Sequence, residues 1–96
     1  MRFLIVYGPT QEPIDPVRFI SNYSTGTMGR HLVEAAEKRG HKVTAVECPT
    51  DAQTANELLA KLKKVLPKND CLIMAAAVCD MRPKSVSKIK YGFLVS

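Results

Sequence analysis

Ninety-six residues make room for one small domain with one core, and 46% hydrophobic with 24% charged residues is an ordinary composition for a globular chain. A net charge of +5 and a pI near 9.3 raise nucleic acid as a partner, but three Tyr, three Phe and no Trp, with no basic-aromatic interleaving, favour small anionic ligands instead. Cys48, Cys71 and Cys79 form an odd set without a C-x-x-C pair, so neither a disulfide framework nor a metal site is signalled, and a reducing cytoplasm is the expected setting.

The first element, Arg2 to Tyr7, is continuously apolar after its first residue, as suits a strand buried on both faces of a parallel sheet. Followed by Gly8-Pro9, it is too short for a signal segment or a membrane span, so no membrane partner is expected. The stretch from Glu12 to Gly29 then occupies the first strand-to-helix crossover, where an open α/β sheet binds its ligands, with Gly8 at its entrance. Pro13 and Pro16 predict a stiff loop in which Ile14 and Asp15 lie extended. Ser24-Thr25-Gly26-Thr27-Met28-Gly29 places small hydroxylic residues and two glycines before a helical pattern, a start whose free N–H groups favour a phosphate or carboxylate. The equal alternative is that Ser24 or Thr25 caps the helix and Gly26 and Gly29 let it pack on the sheet. Arg18 and Asn22 tilt this towards a site. A guanidinium clamps a carboxylate or phosphate, and a side-chain amide donates to an oxygen that gains charge in acyl transfer; tying down the loop is the structural reading of both.

Met28, Leu32, Ala35 and Ala36 recur at helical spacing, and Lys38-Arg39-Gly40 supplies a basic last turn and a terminating glycine. Val43 to Val46 reads as a second strand, parallel to the first. Thr54-x-x-Glu57 has capping-box spacing, and Ala55, Leu58, Leu59, Leu62, Val65 and Leu66 follow as the apolar stripe of a second helix. Lys61, Lys63, Lys64 and Lys68 read as its solvated face. Cys71 to Val78 is a third apolar strand, tapering into Ala75-Ala76-Ala77. Small side chains at a strand's carboxyl end allow a ligand to approach the backbone, although tight helix packing asks for the same residues.

Glu12 through Gly29, with Gly8-Pro9-Thr10 before it, resembles the phosphopantothenate-cysteine ligase family, also called phosphopantothenoylcysteine synthetase, whose pattern is G-[GP]-T-x-E-P-[IL]-D-P-V-R-[FY]-[IL]-[ST]-N-x-S-[ST]-G-x-M-G. A second match falls at Ala76-Ala77-Val78-Cys79-Asp80-Met81-Arg82-Pro83, where relatives carry A-A-V-A-D-[YF]-R-[PA]. The resemblance implies that the Ala76 and Ala77 backbone reads the nucleotide base and that Asp80 lies near the ribose or the Mg²⁺-bound phosphates. Lys88-Ile89-Lys90-Tyr91 is similar to the family's K-x-K-K loop, which puts Lys88, with Lys90 beside it, on the phosphates. Relatives insert a proline-rich loop and a strand where this chain has Cys48-Pro49-Thr50-Asp51, and they continue past Ser96 with more strands and an arm that completes a homodimer. The resemblance therefore covers nearly all of this chain and about the first half of the family's domain.

The expected fold is a Rossmann-like α/β three-layer sandwich with a small parallel sheet, strands near residues 2–7, 42–47 and 71–77, and strand order 2-1-3. The implied function is ligation of 4′-phosphopantothenate to L-cysteine through an acyl nucleotide, with CTP preferred to ATP and Mg²⁺ as the accompanying ion. Arg18, Asn22 and Lys88 are the expected catalytic residues, and Gly8, Ser24, Gly26, Gly29, Ala76, Ala77, Asp80 and Lys90 the expected binding residues. A non-catalytic nucleotide-binding remnant is the rival. A nicotinamide-binding module is weaker, since Gly8 lacks a G-x-G-x-x-G run and only Glu47 stands where that fold needs an acid.

Overall fold

The computed structural model describes residues 1–23 and 25–79. In chain order they form β1 (Arg2–Pro9), β2 (Gln11–Pro13), β3 (Phe19–Ser21), α1 (Thr27–Lys38), β4 (Lys42–Glu47), α2 (Ala55–Val65), a 3-10 turn at Leu66–Lys68, and β5 (Cys71–Ala77). β1, β4 and β5 make a parallel sheet in the order β4-β1-β5, with Phe3 opposite Val43 on one side and Cys71 on the other. This is the expected 2-1-3 arrangement, with the most apolar strand in the centre.

Alternation along β1 divides the core into two layers. Leu4 and Val6, both fully buried, pack with Val46, Cys48, Ala52 and Leu58 beneath α2. Phe3 and Tyr7 point to the opposite face, where Leu32 and Ala36 line a cavity with Phe3, and Gly29 lies against Tyr7. Burying a side chain the size of Leu4 or Val6 contributes about 1.5–3 kcal/mol each, and β1 supplies side chains to both layers.

The helix ends follow local chemistry. Thr54 accepts from Glu57 N–H at 3.1 Å, and the Glu57 carboxylate accepts from Gln53 N–H at 3.0 Å, one residue earlier than a standard capping box. α1 ends through Arg39 and Gly40, whose φ of 81° no residue with a Cβ adopts readily.

Three sequence expectations are corrected. Met28 is 72% exposed and Gly29 takes the buried place beside it. Of the apolar stripe predicted for the second helix, Leu58 is buried on α2 but Leu59, and Leu66 in the 3-10 turn that follows, stand exposed, because three strands are too narrow a sheet to cover the whole stripe. The stretch holding Ile14 and Asp15 is not an extended loop: β2 and β3 pair antiparallel, Glu12 opposite Ile20, and the chain bends at 14–17 between them.

Candidate functional site

The hairpin tip is held by Asp15. Its Oδ1 accepts from the backbone N–H groups of Val17 at 2.9 Å and Arg18 at 2.8 Å, and its Oδ2 accepts from Arg18 Nε at 3.0 Å and Nη2 at 2.8 Å. Ile14 N–H donates to Arg18 O across the bend at 3.0 Å. The prolines thus frame a bend that a buried carboxylate closes, which is why extension does not persist through it. Arg18 commits its fork to this carboxylate.

Asn22 lies at the other end of β3. Four residues of extended chain, roughly 13 Å, separate it from Arg18, which Asp15 holds at the hairpin tip, while Ala76 lies at the carboxyl edge of β5. Asn22 does reach that edge, its Nδ2 donating to Val78 O at 3.4 Å just past the carboxyl end of β5. Around it the foot of the hairpin is fastened to β5. Thr10 N–H donates to Ala77 O at 3.1 Å, Ser21 Oγ donates to Thr10 O at 2.7 Å, and Cys79 N–H donates to Thr10 Oγ1 at 2.9 Å. The other side of the hairpin is tied to the start of α2, where Glu12, buried, accepts from Ala55 N–H at 3.1 Å.

Gly8 pairs with Ala76 and Pro9 with Ala77 across β1 and β5, so both alanines flank the strand-to-helix crossover. Gly8 has a φ of 86°, and a Cβ on it would run into Cys48 O. A Cβ on Gly29 would overlap Tyr7 Cβ, and one on Gly26 would come 3.2 Å from the Tyr7 ring. Close packing of α1 on β1 therefore accounts for both glycines of the helix start. The N-cap of that start is Gly26, which has no side chain to cap with, and its first turn carries no acid. Thr25 Oγ1 lies 2.6 Å from Thr27 Oγ1 in a hydroxyl–hydroxyl bond and accepts from Thr27 N–H at 3.4 Å.

The charges on the β4 side of this edge are mutually engaged. Arg30 Nη2 donates to Glu47 Oε2 at 3.1 Å, and Asp51 accepts from Glu47 N–H at 2.8 Å. Burial pushes the Cys48 thiol up to about 11, with Asp51 and Glu47 adding to the effect, so it is no nucleophile at neutral pH. Burial also raises Tyr7, and Glu47 strengthens the shift against the opposing Arg30. Among the described residues no group of three His, Cys, Asp or Glu is placed to hold a metal ion, and no helix is long and apolar enough to cross a membrane.

The structure thus brings together Gly8, Asn22, Gly26, Gly29, Ala76 and Ala77 and sets Arg18 apart. Ser24, Asp80, Lys88 and Lys90 lie outside the described residues. Sequence reading missed Thr10 and Ser21; the only available signal was a hydroxyl at each foot of a proline-containing stretch. Glu12 could not have been read as the clamp of α2, because its partner lies 43 residues away.

A parallel sheet in 2-1-3 order, with polar groups gathered beyond the carboxyl ends of β1 and β5, defines an open α/β domain, the class of fold whose ligands sit at that edge. Residues 1–92 match the family described as the DNA/pantothenate metabolism flavoprotein C-terminal domain. The chain is 38% identical over 101 residues to the coenzyme A biosynthesis bifunctional protein CoaBC of Escherichia coli strain K12, covering 94% of this chain and 25% of that protein. It is 43% identical over 105 residues to a cysteine/cysteine sulfinic acid decarboxylase of an unknown prokaryotic organism, covering 95% of this chain and 29% of the relative. The crystal structure of the C-terminal domain of CoaBC superposes with a TM-score of 0.74 at 36% identity, over 88% of this chain and 48% of that one. The chain therefore belongs to the DNA/pantothenate metabolism flavoprotein C-terminal domain family, the phosphopantothenate-cysteine ligase domain of CoaBC among its members. It spans about a quarter of the length of these curated relatives and about half of the solved domain.

Proposed function

We propose that this chain is the nucleotide-binding part of a phosphopantothenate-cysteine ligase. The observation that carries the reading is the arrival of the Asn22 amide at the end of β5, beside the Ala76 and Ala77 backbone and the Gly8 crossover. In the reaction the carboxylate of 4′-phosphopantothenate attacks the α-phosphorus of CTP, pyrophosphate leaves, and an acyl cytidylate forms. The amine of L-cysteine then attacks the acyl carbon and CMP departs. Asn22 suits the second step. Its bond to Val78 O is long at 3.4 Å, so Nδ2 can turn to an acyl oxygen that gains charge. The peptide groups around Ala76 and Ala77 suit the base, and the first turn of α1 a phosphate.

Arg18 serves this reading as the fastener of the hairpin that carries Asn22, through Asp15. Lys88 on the phosphates, with Ser24, Asp80 and Lys90 as further contacts, completes the set that the family resemblance supplies. The described carboxylates near this edge are engaged, Glu47 with Arg30, Asp51 with Glu47 N–H and Glu12 with Ala55 N–H, so they do not form a Mg²⁺ site. A homodimer working in the cytoplasm belongs to the same reading. The rival is a remnant that binds nucleotide without turnover.

Titration calorimetry with CTP and with ATP tests the reading. We expect saturable CTP binding that Ala76→Val, which crowds the strand end, weakens at least tenfold, whereas Asn22→Ala leaves it within about threefold because the amide acts in acyl transfer. Failure of the wild-type chain to bind either nucleotide would refute it.

A further inference from the structure

Thr10 stands between β1 and β2, fully buried, with bonds that join three segments. Its N–H donates to Ala77 O at 3.1 Å, its carbonyl oxygen accepts from Ser21 Oγ at 2.7 Å, and its hydroxyl oxygen accepts from Cys79 N–H at 2.9 Å. The Cys79 thiol completes the cluster, its Sγ lying 3.4 Å from both Thr10 O and Ile20 O, so that one S–H is shared between two carbonyls. The foot of β3, the end of β5 and the exit of β1 are thereby fastened at a single residue. Asn22 directly follows Ser21, and the stretch fastened at the end of β5 is Ala77–Cys79, which Asn22 touches through Val78.

We propose that Thr10 is a positioning residue of this site: through Ser21 and Cys79 it holds the Asn22 amide and the backbone at the end of β5 in one mutual arrangement. The inference rests on the acyl-nucleotide reading of this edge and adds to it the residue that sets the geometry. Two backbone segments far apart in sequence drift independently unless something short and buried bridges them. A threonine does this with little rotational freedom, because its β-branch limits χ1 and burial packs around it. The hydroxyl is the adjustable part of the bridge. Valine keeps the shape and deletes the acceptor for Cys79 N–H, leaving a part-buried donor without this partner, whereas serine keeps the acceptor.

The test compares the wild-type chain with Thr10→Val and Thr10→Ser by three readouts: the thermal midpoint, amide hydrogen exchange, and CTP affinity by calorimetry. The expected result for Thr10→Val is at least tenfold faster exchange of the Cys79 amide and at least tenfold weaker CTP binding, with exchange at Val6 in the core unchanged. Thr10→Ser should restore both to within about threefold. Equal loosening of Val6 and Cys79 would reduce Thr10 to a general packing residue and overturn the proposal. So would an unaltered Cys79 amide in Thr10→Val, or a serine variant that restores nothing. If the wild-type chain binds no CTP, the acyl-nucleotide reading fails on its own. The exchange rates, with the NMR signals of the Asn22 side-chain amide, then decide the bridge: movement of those signals in Thr10→Val supports it and unchanged signals overturn it.

Discussion

Single residues in this chain are constrained more by backbone approach than by chemistry. Gly29 and Gly40 make the contrast. A Cβ at Gly29 would overlap Tyr7, while a Cβ at Gly40 meets nothing within 4 Å and suffers only from a φ of 81°. Gly29→Ala is therefore expected to destabilise the chain by about 1–3 kcal/mol through overpacking. Gly40→Ala should cost about 1 kcal/mol through left-handed backbone alone. Urea midpoints at unchanged m-value check both. Cys48 carries a pH prediction whose sign follows from its raised thiol value. The folded state keeps the thiol protonated to about 11, whereas an unfolded thiol ionises near 9.0. The associated stability is complete below pH 9 and is lost as pH rises towards 11, at a slope of at most about 1.4 kcal/mol per pH unit. Cys48→Ala should remove that part of the slope in urea titrations at pH 8, 9, 10 and 11. A wild-type slope that the variant reproduces would assign the alkaline loss to other groups, Tyr7 among them.

At the scale of elements, the hairpin is the informative unit. Three residue pairs make a marginal ladder by themselves, so its persistence depends on the two ends. Asp15 gathers four donors at the tip, and Thr10 with Ser21 and Glu12 ties the foot to β5 and α2. Asp15→Asn keeps the shape but turns one of the two accepting oxygens into an NH2 donor, so two of the four bonds are lost and the remaining two are no longer charge-assisted. Amide exchange across residues 14–21 should then accelerate at least tenfold while β1 stays protected. Uniform acceleration in both would mean that the hairpin and the sheet open as one unit. How far this element was readable from the amino-acid order differs between its ends. The prolines and Asp15 marked a constrained stretch, but the closing of a bend on a buried carboxylate depends on which backbone N–H groups converge there, and the ordering of side chains along the chain does not contain that.

For the molecule as a whole, binding and catalysis make different demands. Acyl transfer needs reactants held in place and water kept out, and positioning is worth about 7–11 kcal/mol of barrier. A chain that spans 48% of the solved ligase domain is expected to bind CTP weakly and to release little CMP and pyrophosphate in the presence of 4′-phosphopantothenate and L-cysteine. Adding the C-terminal half of a relative should restore turnover, and Asn22→Asp or Lys88→Gln should abolish it again. Robust cysteine-dependent CMP release by the 96-residue chain alone would refute the prediction.

The amino-acid order by itself determined the three parallel strands, both helices, the 2-1-3 order and the family, because these rest on local periodicity, on crossover handedness and on a long uninterrupted motif. Strand limits near 2–7, 42–47 and 71–77 needed almost no revision against Arg2–Pro9, Lys42–Glu47 and Cys71–Ala77. Only the tertiary structure decided which motif residues meet. Arg18 and Asn22 sit four positions apart in one motif, yet pairing β2 with β3 sends one to the tip of a hairpin and the other to its foot. Thr10 and Cys79, 69 residues apart, became neighbours because β1 and β5 run side by side and end at the same edge of the sheet.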